Sequence, residues 1–315
     1  MYNPIGSLTH VTKSFGEVVA VSDASFSIEK NKIIGFLGPN GAGKTTSIQM
    51  LLGLLRPQGG DVKLFGVDPF GNAKFKHLIG YISEEGVFPK WLKARNYLIN
   101  LGRYHLPRAE AIQRADEVLE EVDLVEVADK QIRKFSKGMR QRMKIAQALL
   151  HKPALVIADE PFNGLDPLIR RNMFDLVQKY KHEFGTTFFV SSHILFEVER
   201  LADQVILLYK GRTIAQGSPS RIREMIQDQP HTIQIQSPQT KELSHLLLDH
   251  SDIQTVSTIH FAEDGTSPKL LIETTNSKEF YQLITDLVVD HQLQLDEIRP
   301  VDEGLEQLFK SLTVG

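Results

Sequence analysis

The sequence predicts a two-domain α/β protein, in which a large domain built on a mainly parallel β-sheet precedes a small α+β domain. Three observations predict this architecture. The chain has 315 residues, about the length of two ordinary domains. Over its first two thirds, short apolar strands alternate with amphipathic helices, which is the pattern of a parallel sheet covered by helices. The last third has the order strand, helix, strand, strand, helix, strand, which is the split βαβ pattern of a small α+β domain.

The first predicted elements are strands. Residues 8–12 and 24–28 alternate apolar and polar side chains, as strands with one buried face do. Residues 33–37 form a short apolar run that suits a strand buried on both faces. A helix is predicted over 46–55, and it ends at the breaker cluster of residues 56–60.

The middle of the first domain, about 88–151, is predicted to be mainly helical. In 112–122 and 140–150, apolar side chains recur at the i, i+3, i+4 spacing of an amphipathic helix. After this segment, strands and helices alternate again. The predicted strands are 155–158, 186–190 and 204–209, and the helices between them are about 167–183 and 194–201.

A domain boundary is predicted within 218–231, where turn-forming residues flank a polar helix. The predicted domains are therefore 1–228 and 229–315. The second has the element order of a ferredoxin-like fold. Its predicted segments are 232–236, 241–248, 253–261, 269–274, 277–291 and 293–298.

Composition excludes several classes of protein. Apolar residues make up 41% and charged residues 24%, as in ordinary globular proteins. Cysteine is absent, which excludes disulfides, thiolate metal sites and cysteine nucleophiles. No apolar run reaches the roughly 18–20 residues that span a bilayer, and a secretory signal pattern is not expected at the N-terminus. A cytoplasmic location is expected, with which the absence of cysteine is compatible. Acidic residues outnumber basic ones after residue 229, which argues against nucleic-acid binding there.

One segment predicts a phosphate-binding loop. Residues 38–45, GPNGAGKT, fit the pattern G-x-x-x-x-G-K-[ST] between a buried strand and a helix, as in a P-loop NTPase core. Glycines let backbone N–H groups point at phosphate oxygens, and the helix N-terminus adds a partial positive charge. Lys44 can then reach the β- and γ-phosphates, and the Thr45 hydroxyl can ligate Mg²⁺. The predicted nucleotide-binding residues here are Gly38, Pro39, Asn40, Gly41, Ala42, Gly43, Lys44, Thr45 and Thr46.

Two carboxylates, Asp159 and Glu160, follow the apolar segment 155–158. They stand at the carboxyl end of a predicted strand, where ligands bind in open α/β sheets. Adjacent acids at a buried strand end are unfavourable unless a cation or hydrogen-bond donors satisfy them. We therefore expect Asp159 to hold Mg²⁺ and Glu160 to deprotonate the attacking water. The alternative is an acidic loop with no catalytic role.

At this point the sequence resembles the ATP-binding subunits of ABC transporters, from residue 7 to about residue 217. Four further segments carry the resemblance, each weak alone but highly specific in this order. They are FSKGM at 135–139 for the LSGGQ signature, Asn163-Gly164-Leu165-Asp166 for the D-loop, Ser191-Ser192-His193 for the switch histidine, and Phe15 for the aromatic that stacks on adenine. The resemblance implies a P-loop NTPase core with an antiparallel β subdomain and a helical subdomain.

The resemblance also implies roles for these residues. Ser136 and Gly138 would cover the ATP of a second copy of the chain, arranged head to tail. His193 would contact the γ-phosphate, and Asp166 would belong to the nucleotide-binding set. Three of the residues also have a structural alternative. Ser136 could be a plain helix N-cap, His193 could be a satisfied surface or core histidine, and Phe15 could be a core side chain.

The chain departs from the usual family pattern at three places. Glu84 occupies the position of the usual Q-loop glutamine, and a carboxylate there can ligate Mg²⁺ together with Thr45 and Asp159. In the signature, Lys137 and Met139 replace the usual Gly and Gln, while the phosphate-facing pair is kept. Phe15 replaces the more frequent Tyr, which leaves stacking possible. Variants with Glu in the Q-loop resemble the subgroup that serves ABC-2-type exporters.

The C-terminal segment 301–313 also resembles that subgroup. Its apolar side chains form a stripe with the spacing of a short amphipathic helix, which could dock on its own domain or bind a partner. The stripe consists of Leu305, Leu308, Phe309 and Leu312.

The resemblance implies an ATP-hydrolysing subunit on the inner face of the cell membrane. Two copies would close on two Mg-ATP and drive a separate transmembrane permease, which would contact residues 84–91. Two alternatives remain: a soluble ABC-type ATPase acting on ribosomes or DNA, and a nucleotide-gated scaffold without hydrolysis. Substrate selection lies in the permease, so the sequence predicts no transported molecule.

Overall fold

The computed structural model describes residues 4–222, 231–248, 250, 253–259 and 268–300. The chain divides into two compact units, Met1–Pro219 and Ser220–Gly315. The boundary predicted after residue 228 lies outside the described residues and stays a prediction. In the described part of the chain, no helix combines the length and the apolar character that spanning a membrane would require.

The first unit contains two sheets. Its strands are β1 (Gly6–Phe15), β2 (Val18–Ile28), β3 (Ile33–Leu37), β4 (Gly59–Leu64), β5 (Ile79–Ile82), β6 (Leu155–Ala158), β7 (Thr187–Ser192), β8 (Gln204–Tyr209) and β9 (Arg212–Gly217). The large sheet has the order β5-β6-β7-β3-β8-β9, and the small sheet has the order β2-β1-β4. All pairs of the large sheet are parallel except β8 with β9, and both pairs of the small sheet are antiparallel. The predicted mainly parallel sheet and antiparallel subdomain are confirmed.

Helices cover the large sheet and form the helical subdomain. They are α1 (Lys44–Leu51), α2 (Ala94–Gly102), α3 (Arg108–Glu121), α4 (Lys137–Leu149), α5 (Pro167–Phe184) and α6 (Leu195–Leu201). Single 3₁₀ turns occur at Lys76–Leu78, Val125–Val127 and Ile132–Lys134. The predicted helical segment is therefore confirmed, with α2, α3 and α4 as its helices.

Strand β6 shows why the large sheet is buried on both faces. Alternate side chains of a strand point to opposite faces, and those of β6 enter two different apolar clusters. Leu155 and Ile157 pack with the small sheet and α1, whereas Val156 and Ala158 pack with the helices. A run of four apolar residues is what two buried faces require.

Aromatic rings join the two sheets of the first unit. The Phe36 ring of β3 has its centroid 5.2 Å from that of Phe26 in β2 and 4.9 Å from that of Phe189 in β7. This cluster fixes β2 against the face of the large sheet. The loop that follows β3 is thereby held beside β2.

The strand ends on the large sheet position the candidate site. Parallel pairing aligns Leu37 of β3 with Ser192 of β7, and Ala158 of β6 with Val190 of β7. The carboxyl ends of β3, β6 and β7 therefore meet at one edge. The phosphate-loop motif, the two carboxylates and the predicted switch histidine follow these ends.

Some predicted boundaries were wrong. The first helix begins at Lys44 and ends at Leu51, not at 46 and 55, because Gly43 and Gly53 adopt left-handed backbone angles on either side of it. Three strands were not predicted: β4, which begins in the glycine pair of the breaker cluster, the four-residue edge strand β5, and β9.

The second unit forms a four-stranded antiparallel sheet with two helices. Its elements are β10 (His231–Gln236), α7 (Thr240–Leu248), β11 (Ile253–Ile259), β12 (Lys269–Thr274), α8 (Ser277–Asp290) and β13 (Glu297–Pro300). The strand order β11-β12-β10-β13 with antiparallel pairing confirms the predicted ferredoxin-like arrangement.

Two details of this unit differ from the prediction or lie beyond it. The last strand begins at Glu297, not at residue 293, although Leu293 is buried and packs in the apolar core of this unit. The apolar residues Leu293 and Leu295 pack against the core from an irregular segment and do not pair as a strand. The predicted tail stripe at 305–312 lies outside the described residues.

Two histidines pack against each other in the helical subdomain. The His105 and His151 rings are stacked with centroids 4.4 Å apart, and Nε2 of His151 lies 3.1 Å from the carbonyl oxygen of Ile79. Burial and the nearby His105 lower the pKa of His151 from 6.5 to about 4. Burial and the nearby His77 likewise lower the pKa of His105.

We expect the first unit, which contains His105 and His151, to lose stability as the pH falls from 6.5 towards 4. Folding depresses the pKa of His151, so the unfolded chain binds more protons than the folded chain in that window. His151→Gln should remove part of the slope, measured by urea unfolding at several pH values. The matched control for the loss of a histidine is His182→Gln, at an exposed position of α5. Equal slopes in the parent chain and His151→Gln would contradict the assignment.

Candidate functional site

The glycine-rich loop lies between β3 and α1 and depends on left-handed backbone. Gly41 and Gly43 have φ angles of 79° and 101°, which L-residues with a side chain rarely adopt. A Cβ on Gly43 would also collide with the carbonyl oxygen of Ala20 in β2. Glycine is therefore required for the loop to approach β2 and to lead directly into the helix N-terminus.

Lys44 places its ammonium group at the centre of the site. The side chain is buried, and Nζ donates hydrogen bonds to the carbonyl oxygens of Gly38 at 2.6 Å and Pro39 at 3.3 Å. Nζ also lies 3.5 Å from Oε1 of Glu160. The cation thus stands between the loop main chain and the carboxylate that follows β6.

Asp159 is held by hydroxyl groups from two other segments. Its Oδ2 accepts a hydrogen bond from the Thr45 hydroxyl at 2.8 Å, and its Oδ1 accepts one from the Ser191 hydroxyl at 2.6 Å. Thr45 and Asp159 therefore bring two oxygen ligands of the type that Mg²⁺ prefers to one place. Among the described residues, no group of three or more His, Asp or Glu could hold a metal by itself. A cation here would take its other ligands from phosphate and water.

Glu160 combines strained backbone with an incompletely satisfied carboxylate. Its φ of 49° lies in the left-handed region, which is uncommon for a residue with a side chain. Its N–H donates to the Ser191 hydroxyl at 2.9 Å, and Oε2 lies 3.0 Å from Nδ1 of His193. Oε1 is buried, and no described residue donates a hydrogen bond to it. A buried carboxylate oxygen of this kind is open to a donor such as water.

These groups line a cavity of about 480 Å³. Most of its walls were predicted from the sequence: Pro39, Asn40, Gly41, Ala42, Gly43, Lys44, Thr45, Thr46, Glu84, Asp159 and Glu160. The remaining wall residues, Val18, Val19 and Ala20 of β2, were not predicted. The large exposed fractions of Val18 (69%) and Val19 (54%) mark an apolar surface, but two valines in a strand carry no sequence signal for a ligand.

Phe15 lies at the end of β1, three residues before Val18. Its side chain is 50% exposed, and Nζ of Lys13 is 5.6 Å from its ring centroid. The structure therefore gives Phe15 a surface position rather than a core position. It is not one of the cavity-lining residues.

Ser136 and Gly138 stand at the N-terminus of α4. The Ser136 hydroxyl accepts a hydrogen bond from the Met139 N–H at 3.2 Å, so Ser136 is the N-cap of this helix. A Cβ on Gly138 would lie 3.8 Å from the carbonyl oxygen of Gly164, which places the signature beside the D-loop segment. Asp166 is the N-cap residue of α5. None of these three lines the cavity of its own chain.

A buried polar network, not predicted from the sequence, connects the segments after β6 and β7. The Ser192 hydroxyl donates to Oε2 of Glu197 at 2.9 Å, and Nη1 of Arg170 lies 2.8 Å from Oε1 of Glu197. Arg170 also donates to the carbonyl oxygen of Leu165 at 3.3 Å. Burial raises the pKa of Glu197. The network therefore connects Ser192, which precedes His193, to Leu165, which precedes Asp166.

Comparison with known proteins identifies similar sequences. A family model described as ABC transporter matches residues 21–163. The bacitracin transport ATP-binding protein BcrA of Bacillus licheniformis is 44% identical over 208 residues, covering 65% of this chain and 67% of that protein. The linearmycin resistance ATP-binding protein LnrL of Bacillus subtilis (strain 168) is 32% identical over 310 residues, covering 96% of each.

Solved structures show the same fold. An ATP-binding subunit of an ABC transporter is 30% identical, with a TM-score of 0.64, and the match covers 70% of this chain and 92% of that chain. A dimeric ATP-binding cassette in a post-hydrolysis state, bound to ADP and Pi, is 23% identical, with a TM-score of 0.62. That match covers 68% of this chain and 98% of the other. The latter similarity supports the fold alone.

We expect Ser191→Ala to lower the free energy of unfolding by about 1–3 kcal/mol, because it removes the partners of the buried Glu160 N–H and of Oδ1 of Asp159. The matched control is Ser47→Ala, since the buried Ser47 hydroxyl has no hydrogen-bond partner among the described residues. That change should be nearly neutral. Urea unfolding measures both, and equal losses in the two variants would contradict this role of Ser191.

Proposed function

The chain belongs to the ABC transporter ATP-binding family, and from this premise we propose that it hydrolyses ATP to power a separate transmembrane permease. The observation that carries the proposal is the cluster of Lys44, Asp159, Glu160 and His193 in and beside one cavity. Such a cluster can bind a triphosphate and supply a base.

Glu160 is the proposed general base. Oε1 of Glu160 is buried, and no described residue donates a hydrogen bond to it, so it can accept a proton from an attacking water. Nδ1 of His193 lies 3.0 Å from the other carboxylate oxygen, Oε2, and the histidine can contact the γ-phosphate once nucleotide is bound. Lys44 can exchange its loop carbonyl partners for phosphate oxygens, which are stronger acceptors.

Thr45, Asp159 and Glu84 are the proposed residues for Mg²⁺. Thr45 and Asp159 are already paired, and Glu84 lines the same cavity. Bound Mg²⁺ supplies charge neutralisation to the phosphates. The chain's own contribution is to hold these oxygen ligands beside the loop whose N–H groups receive the triphosphate. Phe15, with Val18 and Val19 near it in the sequence, provides an exposed apolar surface for the adenine ring.

A head-to-tail dimer is proposed to complete the site. Ser136, Gly138 and Asp166 do not line the cavity of their own chain, and the first two stand at the N-terminus of α4, which suits an anion. A second copy would bring them to the open side of the bound nucleotide. The Ser136 hydroxyl and the Gly138 N–H would then add donors on the side of the γ-phosphate away from the loop.

The permease contact is proposed at residues 84–91. Val87 is 92% exposed and Trp91 is 72% exposed, and this segment begins with Glu84, which lines the cavity. Exposed apolar side chains beside the nucleotide site suit a protein-binding surface, through which a partner could respond to the binding and hydrolysis of ATP. The chain would therefore sit peripherally on the inner face of the membrane. Export is favoured because relatives are named for bacitracin transport and linearmycin resistance.

Domain roles follow from this assignment. Residues 1–228 would form the ATP-binding domain, and 229–315 an accessory domain. Purification of the chain with its membrane partner, followed by ATPase assays with and without that partner, tests the coupling. No permease in the complex, or no effect of it on the ATPase rate, would favour the soluble alternative.

We expect Glu160→Gln to retain ATP binding and to lower kcat by about a hundredfold or more, because the amide cannot accept the proton of the attacking water. The variant should also accumulate as an ATP-bound dimer in size-exclusion chromatography. Glu183→Gln, at an exposed position of α5, is the control and should hydrolyse ATP normally. Hydrolysis by Glu160→Gln at the parent rate would show that another group is the base.

Lys44→Ala should weaken ATP binding by about tenfold or more and abolish turnover, since the ammonium group is the cation within the phosphate loop. Equilibrium binding of a fluorescent ATP analogue measures the first effect and phosphate release the second. Lys63→Ala, at an exposed position of β4, serves as the control. An unchanged nucleotide affinity in Lys44→Ala would rule out this loop as the phosphate site.

A further inference from the structure

Lys144 is a buried lysine of α4 that donates hydrogen bonds to the main chain of the Q-loop, the segment after β5 that contains Ser83 and Glu84. Its Nζ donates hydrogen bonds to the carbonyl oxygens of Ser83 at 3.0 Å and Glu84 at 2.6 Å. These two residues follow β5, the edge strand of the large sheet, and lie beyond its hydrogen-bonded ladder. The lysine thus provides donors to carbonyls that the sheet itself does not pair.

Gly86 leaves the space through which the Lys144 side chain reaches these carbonyls. A Cβ on Gly86 would collide with Cε of Lys144 and would crowd its Cδ and Cγ. The backbone of Gly86 is not left-handed, so close approach of the lysine, rather than conformational freedom, accounts for glycine here. Burial lowers the pKa of Lys144, and the carboxylates of Glu84 and Glu85 act in the opposite direction.

The same helix contacts the other catalytic segment. Gln141, one turn before Lys144, donates to the carbonyl oxygen of Pro161 at 2.6 Å, directly after Glu160. Ser136 caps the helix eight residues before Lys144, which is about 12 Å along the axis. Helix α4 therefore connects the signature residue, the segment that carries Glu160 and the segment that carries Glu84.

A second cavity of about 230 Å³ separates parts of these segments. It is lined by Glu84, Glu85, Gly86, Lys137, Arg140, Gln141, Lys144, Glu160 and Asn163. Glu84 of the Q-loop and Gln141 and Lys144 of α4 all line this space. The two hydrogen bonds from Lys144 bridge the segments directly.

We infer that Lys144 is a positioning residue that fixes Glu84 relative to the signature helix and so couples the two in ATP hydrolysis. The inference rests on the proposed function, in which Glu84 contributes to Mg²⁺ binding. Lys144 acts through the main chain of residues 83–84 and does not line the nucleotide cavity. A shift of α4, as when Ser136 engages a second copy, would be transmitted to Glu84 through these bonds.

The test is steady-state ATP hydrolysis by Lys144→Met as a function of free Mg²⁺ and of ATP. Methionine keeps an unbranched apolar side chain and removes the donor. We expect kcat to fall about tenfold, because a small displacement of a site residue has a large effect on rate. The Mg²⁺ concentration for half-maximal rate should rise, with little change in the KM for ATP. Lys144→Arg should restore much of the rate, since guanidinium can also donate to two carbonyls.

Two further variants separate positioning from folding. Gly86→Ala displaces the Lys144 side chain while keeping it in the chain, and it should reproduce the Lys144→Met kinetics. In a Glu84→Ala background, Lys144→Met should add little further loss, because residues that act through one another are not additive. Lys179→Met on the exposed face of α5 is the matched control and should behave like the parent chain.

The outcomes distinguish this inference from the proposed function. If the parent chain hydrolyses ATP and Lys144→Met retains its kcat and its Mg²⁺ dependence, the role of Lys144 is wrong and the proposed function stands. A loss in the double variant equal to the product of the single losses would also overturn it. If the parent chain hydrolyses no ATP with its permease present, the proposed function fails and this inference fails with it.

Discussion

The candidate site depends on one electrostatic constraint: two neighbouring carboxylates are buried at the carboxyl edge of a parallel sheet and must be satisfied there. Asp159 is satisfied by hydroxyls of Thr45 and Ser191, while Glu160 meets Lys44 and His193. These partners come from the ends of different strands and from the helix that follows β3. Parallel pairing therefore determines the chemistry, because it brings those ends to one edge. Burial of the two acids without these donors would be strongly unfavourable.

Local sequence patterns predicted the features of the site that depend on residues close together in the chain. The glycine-rich loop could be recognised because backbone angles and phosphate chemistry determine its residue types within a segment of eight residues. The placement of Asp159 and Glu160 followed from the apolar strand before them. Contacts across the fold carried no such pattern: Ser191 was visible only as a neighbour of the switch histidine, and the Arg170–Glu197 pair and Lys144 had no signal at all. The last strand was misplaced for a related reason, since Leu293 is apolar for packing and not for pairing.

Among its contacts, helix α4 donates side-chain hydrogen bonds to main-chain groups of two separate segments beside the cavity. Side-chain donors from one rigid element hold the carbonyls of Pro161 and of residues 83–84. Irregular segments at a sheet edge have carbonyls that the ladder does not pair, and buried ones need donors. The helix supplies those donors and at its N-terminus presents the signature residues. One element thereby stabilises the loops around the cavity and belongs to the proposed dimer surface.

The cap of this helix also resolves an apparent conflict between two roles of Ser136. As a cap, the serine oxygen receives the N–H of Met139. A hydroxyl has lone pairs to accept with and one proton of its own to give, and capping uses only the former. The proton stays free to point away from the helix, towards an oxyanion arriving from outside. A threonine would retain this double capacity, an asparagine would cap equally well and offer an amide proton instead, and an aspartate would cap while repelling the incoming charge.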